Sequence, residues 1–268
     1  MPQPQLVRLR LGNTRLLVPK DDPRLFYETL VMNGYGSARL KPGDVVVDVG
    51  ANIGDYTVRA AQEVGPLGKV VAIEPNPCWF SILMENLHEN ALQNVTPLNC
   101  AISDREGRQS FVGDVMTQVQ PKPSSGFRYS AETRTLDSVL ADCKIDHVDV
   151  LKMDIEGGER FALRDLRSLA SIRQIVMEIH GTATLEELSE LLSRSGFVIT
   201  RYNVKTMAFE TAQSILSHLP TFLMSDAKTN YFGTRRILSF LLFGERVMVA
   251  DPSQFELNLV HCQRVRAS

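Results

Sequence analysis

The stretch Val45-Val-Val-Asp48-Val-Gly50-Ala-Asn52-Ile-Gly54 decides the fold of this chain. A β-branched run that ends in a glycine turn is typical of a buried parallel strand that leads into a nucleotide-binding turn and a helix. Residues 56–63 can form that helix, and a second apolar run, residues 69–73, ends at Glu74. The rest of the chain is therefore expected to present a second substrate to whatever this turn binds.

The composition is that of an ordinary globular protein. The 268 residues are 44% apolar and 22% charged, and the net charge of −2 provides no global field for nucleic acid or an anionic membrane. No apolar run approaches the roughly 20 residues that span a bilayer, and the N-terminus lacks a signal-peptide profile. The cysteines are too far apart for a zinc knuckle or a disulfide scaffold, so a reduced, cytoplasmic compartment is expected.

Strand and helix patterns alternate downstream of the glycine turn. Apolar runs predict seven core strands, at residues 45–49, 69–73, 95–100, 148–153, 174–179, 196–202 and 257–265. Helical patterns occupy the connections, at residues 56–63, 79–90, 136–142, 159–169 and 185–193. The alternation predicts an α/β fold with a seven-stranded, mostly parallel sheet, helices on both faces and right-handed crossovers.

Three segments fall outside this alternation. A hairpin over residues 6–18 and a helix over 24–32 predict an N-terminal extension, residues 1–40, before a main domain at 41–268. Short strands at residues 107–112 and 127–134 predict an inserted hairpin, with a mobile Pro/Ser/Gly loop at 120–126 between them. Residues 205–254 predict an insertion of helices and loops before the last strand, which is expected to cover the substrate. Within it, the apolar segment 237–243 suits either a lid or the surface of a homodimer.

The glycine turn has an unusual donor and acceptor set for a nucleotide site. A pyrophosphate fingerprint requires GxGxxG, whereas Asn52 here replaces a glycine and Asp48 precedes the turn, which suits a zwitterionic amino-acid group. Glu74 follows Gly54 by twenty residues, where an acid can accept hydrogen bonds from ribose hydroxyls. The pattern indicates an adenosine-type ligand with an amino-acid tail; the alternative is a structural turn and a solvated acid.

Candidate catalytic groups follow the fourth and fifth strands. Asp154 and Glu156 follow one, Glu178 and His180 end the other, and ligands of open α/β sheets bind at this edge. His180 has an ordinary pKa near neutrality and is a candidate base, although such histidines are often structural. Asp154 could act as the base or could orient a substrate. These groups could also hold a metal, but no ligand spacing enforces one, so no metal is predicted.

Several motifs together carry a resemblance to a known family. They are Asp48-Val-Gly-Ala-Asn-Ile-Gly54, Glu74-Pro-Asn-Pro77, Glu85-Asn-Leu-His-Glu-Asn90, Ala101-Ile-Ser-Asp104, Thr135-Leu-Asp137 and Leu151-Lys-Met-Asp154-Ile-Glu156-Gly157. On these residues the chain resembles the FkbM family of class I S-adenosylmethionine-dependent methyltransferases, over about residues 40 to 200. The resemblance implies a Rossmann-like fold and a methyltransferase domain over residues 41–268.

The resemblance also implies a cofactor, S-adenosyl-L-methionine, and residues that hold it. Its methionine part would contact Asp48, Gly50, Asn52 and Gly54, its ribose Glu74, and its adenine Cys100 and Ala101. Pro75 and Asn76 would complete the cofactor site. The catalytic group expected from the strand ends is Asp154, Glu156 and His180.

The expected reaction is O-methylation of a small-molecule hydroxyl, in a sugar, a lipid or a secondary metabolite. An RNA (tRNA) methyltransferase is the alternative, but it would need a basic surface, and the neutral charge balance argues against it. A catalytically silent cofactor-binding module is disfavoured by the polar groups at the strand ends. A nicotinamide oxidoreductase is disfavoured by Asn52 in the place of a fingerprint glycine.

Overall fold

The strands and helices follow the predicted alternation. The computed structural model describes residues 4–20, 23, 25–31, 33–113, 127–180, 182–201, 216 and 259–265. The strands are β1 (Leu6–Leu11), β2 (Thr14–Pro19), β3 (Val45–Val49), β4 (Lys69–Ile73), β5 (Val95–Leu98), β6 (Ala101–Ile102), β7 (Gly107–Gly113), β8 (Phe127–Arg134), β9 (Val148–Met153), β10 (Ile172–Glu178), β11 (Phe197–Arg201) and β12 (Leu259–Arg264). The α-helices are α1 (Asp55–Val64), α2 (Pro77–Glu89), α3 (Leu136–Asp142), α4 (Glu159–Leu163) and α5 (Thr182–Arg194).

Seven strands form the central sheet, in the order β11-β12-β10-β9-β3-β4-β5. All neighbours are parallel except those of β12, which runs antiparallel to β10 and to β11. The mostly parallel sheet predicted from the sequence is confirmed. The strand order reverses at β3, which lies between β4 and β9, and open α/β sheets bind ligands at such a switch point.

Both faces of the sheet are buried, and alternate side chains of β3 pack in the apolar clusters on its two sides. Val47 and Val49 pack in one apolar cluster with Ile175 and Met177 of β10. Val46 points the other way and packs with residues of α1. A strand buried on both faces needs an apolar residue at nearly every position. This is why residues 45–49 are valine at every position except Asp48.

The N-terminal hairpin, β1 and β2, packs on α2 and is confirmed as predicted. Asn86 of α2 links it to the core: its Oδ1 accepts a hydrogen bond from the Leu17 N–H at 2.6 Å. Its Nδ2 donates to the carbonyls of Leu17 and Ile53, at 3.1 and 2.8 Å. The buried Asn86 amide therefore links the hairpin to the glycine turn, and Leu16 and Val18 of the hairpin share an apolar cluster with Ile53 of the turn. The division into an extension and a main domain at residue 40 stays a prediction.

Two elements differ from the prediction in a way that affects the fold near the site. The helix predicted at residues 24–32 is a π-helical segment, Phe26–Val31. The third strand ends at Leu98 rather than at residue 100, because Asn99 turns the chain by donating to the Glu74 carbonyl at 2.8 Å. Ala101 and Ile102 then join a separate three-stranded sheet with the predicted inserted hairpin, β7 and β8.

The helix predicted at residues 159–169 is broken in two. After α4, Asp165 adopts φ +55°, and a 3-10 segment, Arg167–Ser171, follows. The Asp137 carboxylate accepts hydrogen bonds from the N–H groups of Arg167 and Ser168, at 3.0 and 2.9 Å. These bonds cap the 3-10 segment, so the break is stabilised by a residue distant in sequence.

Two predicted segments lie outside the described residues. One is the loop at 120–126. The other is the insertion at 205–254, including its apolar segment 237–243, of which only the exposed Leu216 is described. Over the part of the chain that the structure describes, no helix is both long enough and apolar enough to cross a membrane.

Candidate functional site

The turn after β3 lies against the end of β9. Gly50 adopts φ +80°, a left-handed conformation that favours glycine, and a Cβ there would stand 1.9 Å from the backbone oxygen of Asp154. The N–H groups of Gly50 and Ala51 both donate to the Ile73 carbonyl at 2.9 Å. The turn is thus held by backbone contacts with both neighbouring strands.

The second glycine of the turn, Gly54, is the N-cap residue of α1. Its φ is +85°, and a Cβ at this position would stand 2.4 Å from Cδ1 of Leu83 in α2. The positive φ favours glycine at both positions, and the contact with the Asp154 backbone requires it at position 50. Their predicted contact with the methionine part of the cofactor stays a proposal.

Asp48 lies beneath the turn and has no exposed surface. Its Oδ1 lies 3.1 Å from Lys152 Nζ, and its Oδ2 accepts a hydrogen bond from Thr57 Oγ1 at 2.6 Å. Lys152 also donates to the Gly50 carbonyl at 2.7 Å. Asp48 thus pairs with Lys152, and the pair supports the turn. The predicted contact of Asp48 with the methionine part of the cofactor stays a proposal.

Glu74 stands at the carboxyl end of β4, as predicted, and is almost entirely buried. Its two oxygens accept hydrogen bonds from the N–H groups of Asn52 and Asn76, each at 2.8 Å. Burial raises the pKa of Glu74 to about 7, although the two hydrogen bonds lower it. A carboxylate has about four acceptor positions, so Glu74 retains capacity for ribose hydroxyls.

Asn52 offers an acceptor at the same turn. Its φ is +51°, and its Oδ1 is buried with no hydrogen-bond partner among the described residues. A buried acceptor without a donor costs free energy, and a ligand amine would supply the donor. Asn52 therefore fits the amino-acid tail of S-adenosylmethionine, and its predicted contact with the cofactor stays a proposal.

The remaining predicted cofactor residues surround the start of α2 and the end of β5. Asn76 is the N-cap of α2, where its side chain accepts from the Cys78 N–H at 2.9 Å. The Pro75 carbonyl accepts from the Asn99 side chain at 3.3 Å. Cys100 and Ala101 are nearly buried, at 4% and 7% exposure, and Cys100 packs in the main core. Their contact with adenine stays a proposal.

Asp154, Glu156 and His180 converge at the carboxyl ends of β9 and β10, as predicted. One ligand atom from each lies within 4.8 Å of the other two. His180 Nε2 is 3.3 Å from Glu156 Oε2 and 3.9 Å from Glu178 Oε1. His180 Nδ1 is 3.2 Å from Oε1 of the fully buried Glu159. Four carboxylates therefore surround one imidazole.

These carboxylates set the protonation of the cluster. The hydrogen bond to Glu159 and the charges of Glu156 and Asp154 raise the pKa of His180 to about 9 against the effect of burial. Burial and the charge of Asp154 raise the pKa of Glu178 to about 7. A pKa of about 9 makes His180 a poorer base at neutral pH than an ordinary histidine, and Glu178, with a pKa of about 7, is the better candidate. The catalytic role of His180 stays a proposal.

Three residues of the site were not predicted. Lys152 is a lone lysine in the apolar run of β9, and its isolation was a usable signal of a buried charge pair. Glu159 stands three residues after Glu156, where the sequence predicts only the start of a helix. Tyr35, from the N-terminal extension, donates its hydroxyl to Asp154 Oδ2 at 3.1 Å. Nothing in the local sequence marks it.

Comparison with known proteins identifies the family. Residues 48–199 match the model of the methyltransferase FkbM domain. The chain is 30% identical over 196 residues to the 31-O-demethyl-FK506 methyltransferase FkbM of Streptomyces tacrolimicus, covering 60% of this chain and 75% of that protein. It is 25% identical over 214 residues to the methyltransferase sdnD of Sordaria araneosa, covering 66% and 82%.

A solved structure has the same fold. The methyltransferase FkbM of Methylobacillus flagellatus KT aligns with a TM-score of 0.51 and 22% identity, over 66% of this chain and 44% of that one. The family match covers the glycine turn, Glu74 and the cluster of Asp154, Glu156 and His180, and it indicates a methyl-transferring enzyme. The chain belongs to the FkbM family of methyltransferases.

Proposed function

We propose that this chain transfers a methyl group from S-adenosylmethionine to a hydroxyl oxygen of a small molecule. The observation that carries the proposal is a single contact: the glycine turn, which would hold the donor, packs directly on the backbone of Asp154, which begins the carboxylate–histidine cluster. A donor held at the turn would therefore lie beside the groups that can receive an acceptor.

The donor would be held by Asn52 and Glu74. The buried Asn52 Oδ1 would accept from the amine, and Glu74 from the ribose hydroxyls. Gly50 and Gly54 would let the chain approach the methionine part, beside Pro75 and Asn76, while Cys100 and Ala101 would lie near the adenine. Asp48 would contribute by fixing the turn through Lys152.

The acceptor would be oriented by Asp154, Glu156 and His180. When bound, S-adenosylmethionine would supply a methyl group on a sulfonium sulfur: an O–C bond forms as the C–S bond breaks, and its electron pair goes to sulfur. The hydroxyl proton would pass to Glu178, because its pKa of about 7 matches a base that works at neutral pH. Alignment of the two substrates would provide the larger part of the rate.

Two further facts favour a hydroxyl acceptor of small size. The name of the Streptomyces relative places the transferred methyl on an oxygen of a small molecule. The positively charged His180 and its carboxylates form a polar, directional site, which suits a hydroxyl that must be oriented and deprotonated.

A transfer assay with matched acceptors tests this function. The protein is incubated with methyl-labelled S-adenosylmethionine and small alcohols from three classes: sugars, hydroxylated lipids and hydroxylated polyketides. Each alcohol is paired with its methyl ether and with the corresponding amine. We expect label on at least one alcohol and none on its ether. Label on the amines alone, or on RNA alone, would overturn the proposal.

Glu178→Gln is the matched variant for the base. We expect its turnover to fall about 100-fold or more while binding of S-adenosylhomocysteine is kept, since a positioned base contributes roughly 10²–10⁴-fold. Glu190→Gln, on the exposed side of α5, serves as the control and should retain full turnover. Equal turnover in the wild type and Glu178→Gln would remove Glu178 from the mechanism.

A further inference from the structure

We infer that Tyr35, from the N-terminal extension, is a positioning residue of the acceptor site: its hydroxyl holds the Asp154 carboxylate in the orientation that receives the acceptor. The inference rests on the proposed function, because it assigns a supporting residue to that same site. It makes part of residues 1–40 a component of the active site, whereas the sequence predicts an extension that precedes the main domain.

The Tyr35 hydroxyl contacts the site directly. It donates to Asp154 Oδ2 at 3.1 Å, although the two residues are 119 positions apart in the sequence. The last torsion of an aspartate side chain has a broad range, and a fixed donor on one oxygen limits its rotation. The hydrogen bond occupies one of about four acceptor positions on the carboxylate, so Asp154 keeps capacity for an acceptor hydroxyl.

The Tyr35 ring is itself held by two neighbours. Tyr56 of α1 packs against it edge to face, with ring centroids 5.5 Å apart and planes at 75°. Lys152 Nζ lies 5.3 Å from the ring centroid, within the range of a cation–π contact. The same lysine supports the glycine turn through Asp48 and the Gly50 carbonyl. Tyr35 therefore contacts one residue that supports the donor turn and one residue of the acceptor cluster.

The chain on both sides of Tyr35 is attached to the core. On its N-terminal side is the π-helical segment Phe26–Val31, where Thr29 Oγ1 donates to the Asp55 carboxylate at the start of α1. Such segments are often found at functional sites. On its C-terminal side, the Ala38 N–H donates to the Tyr35 carbonyl at 3.2 Å, and Ala38 is buried in an apolar cluster of the core. The hydroxyl is thus presented by an anchored segment.

The Tyr35 hydroxyl is a permanent donor at neutral pH. Desolvation, followed by the charges of Asp154 and Glu178, raises the pKa of Tyr35 well above its usual value of 10. The hydroxyl therefore keeps its proton and does not serve as the base of the reaction. A neutral donor also fixes Asp154 without cancelling its negative charge, which a lysine or arginine would do. Tyr35 acts through Asp154, and its effect is orientation rather than proton transfer.

Tyr35→Phe tests the inference, because it removes the hydroxyl and keeps the ring. Turnover is measured with methyl-labelled S-adenosylmethionine and the first alcohol that gains label in the transfer assay. We expect kcat/KM for that alcohol to fall roughly 10–100-fold, as loss of one hydrogen bond to a charged group does. The KM for S-adenosylmethionine and the affinity for S-adenosylhomocysteine should stay unchanged. Tyr56→Phe is the matched control and should retain full turnover, since the Tyr56 hydroxyl has no hydrogen-bond partner among the described residues.

A double-variant cycle with Asp154→Ala shows whether Tyr35 acts through Asp154. Once the carboxylate is absent, Tyr35→Phe should lower kcat/KM by less than about twofold further. The same factor lost in both backgrounds would overturn the inference, since a general structural effect of Tyr35 does not need Asp154. Urea unfolding of each variant checks that the protein compared is folded.

Two other results would also overturn the inference. One is turnover by Tyr35→Phe at the wild-type rate. The other is an affinity for S-adenosylhomocysteine that falls by the same factor as kcat/KM, because the donor turn would then be what moves. Wild-type protein that labels an alcohol keeps the proposed function whatever Tyr35→Phe does. Wild-type protein that labels no alcohol loses the proposed function, and the inference falls with it.

Discussion

Gly50→Ala is expected to lower the free energy of unfolding by more than about 3 kcal/mol and to abolish binding of S-adenosylhomocysteine. The new Cβ would stand 1.9 Å from the Asp154 carbonyl oxygen and 2.9 Å from its carbon. Both are backbone atoms, so no side chain can move to relieve the overlap. The turn must shift away from β9, and the positions of Asn52 and Asp154 shift with it.

Gly43→Ala is the matched control for this variant. Gly43 has φ +88°, close to that of Gly50, but a Cβ there meets nothing within 4 Å. Gly43→Ala should therefore lower the free energy of unfolding by only about 1–2 kcal/mol, the cost of a Cβ at a positive φ. Nucleoside binding should stay intact. Urea unfolding and calorimetry measure both quantities. Equal losses in the two variants would mean that the contact with Asp154 does not matter.

Lys152→Met is expected to destabilise the protein by about 3–5 kcal/mol, because it leaves the Asp48 carboxylate buried without its counter-charge. Asp48 has no exposed surface, so the chain cannot hydrate this charge without opening the turn. The variant also removes the hydrogen bond to the Gly50 carbonyl. Nucleoside binding should weaken as a consequence of the displaced turn.

The double variant Asp48→Asn with Lys152→Met separates charge from packing. Removal of both charges should recover most of the lost stability, since asparagine can still accept the hydrogen bond from Thr57. Urea unfolding of the wild type, both single variants and the double variant gives the coupling free energy. A double variant as unstable as Lys152→Met would show that the buried pair is not what holds the turn.

The contact between Gly50 and Asp154 has a wider consequence for the site. The donor turn and the acceptor cluster follow neighbouring strands that a backbone hydrogen bond joins: the Asp154 N–H donates to the Val49 carbonyl at 3.0 Å, just before the turn. Displacement of either group therefore displaces the other. A rigid backbone link of this kind suits a reaction whose rate depends mainly on alignment of donor and acceptor.

The sheet was predictable because its signals are local. The valine run, the glycine turn and the spacing to Glu74 each lie within about 30 residues, the length of one β-α-β unit. The break after α4 was not predictable, since it depends on Asp137 reaching Arg167 and Ser168 across the fold. The turn at Asn99 likewise depends on a distant group, the carbonyl of Glu74, which is the residue that follows β4.

The candidate site was predictable in position but not in chemistry. Strand ends place Asp154, Glu156 and His180 at one edge, and the structure brings them together. The protonation of His180 depends on Glu159, whose carboxylate reaches it only after α4 has folded against β10. The burial of Asp48 depends in the same way on Lys152 from the neighbouring strand. Side-chain partners across strands are not encoded in either segment alone.

The most direct test of the central claim is calorimetric titration of the protein with S-adenosylhomocysteine. We expect one nucleoside per wild-type chain. Glu74→Ala should bind at least tenfold more weakly, a loss of about 1.4 kcal/mol, because the ribose hydroxyls lose their acceptor. Glu63→Ala, an exposed carboxylate on α1, should bind normally. Folded wild-type protein that binds no nucleoside, or Glu74→Ala that binds as tightly as the wild type, would contradict the assignment of the donor site.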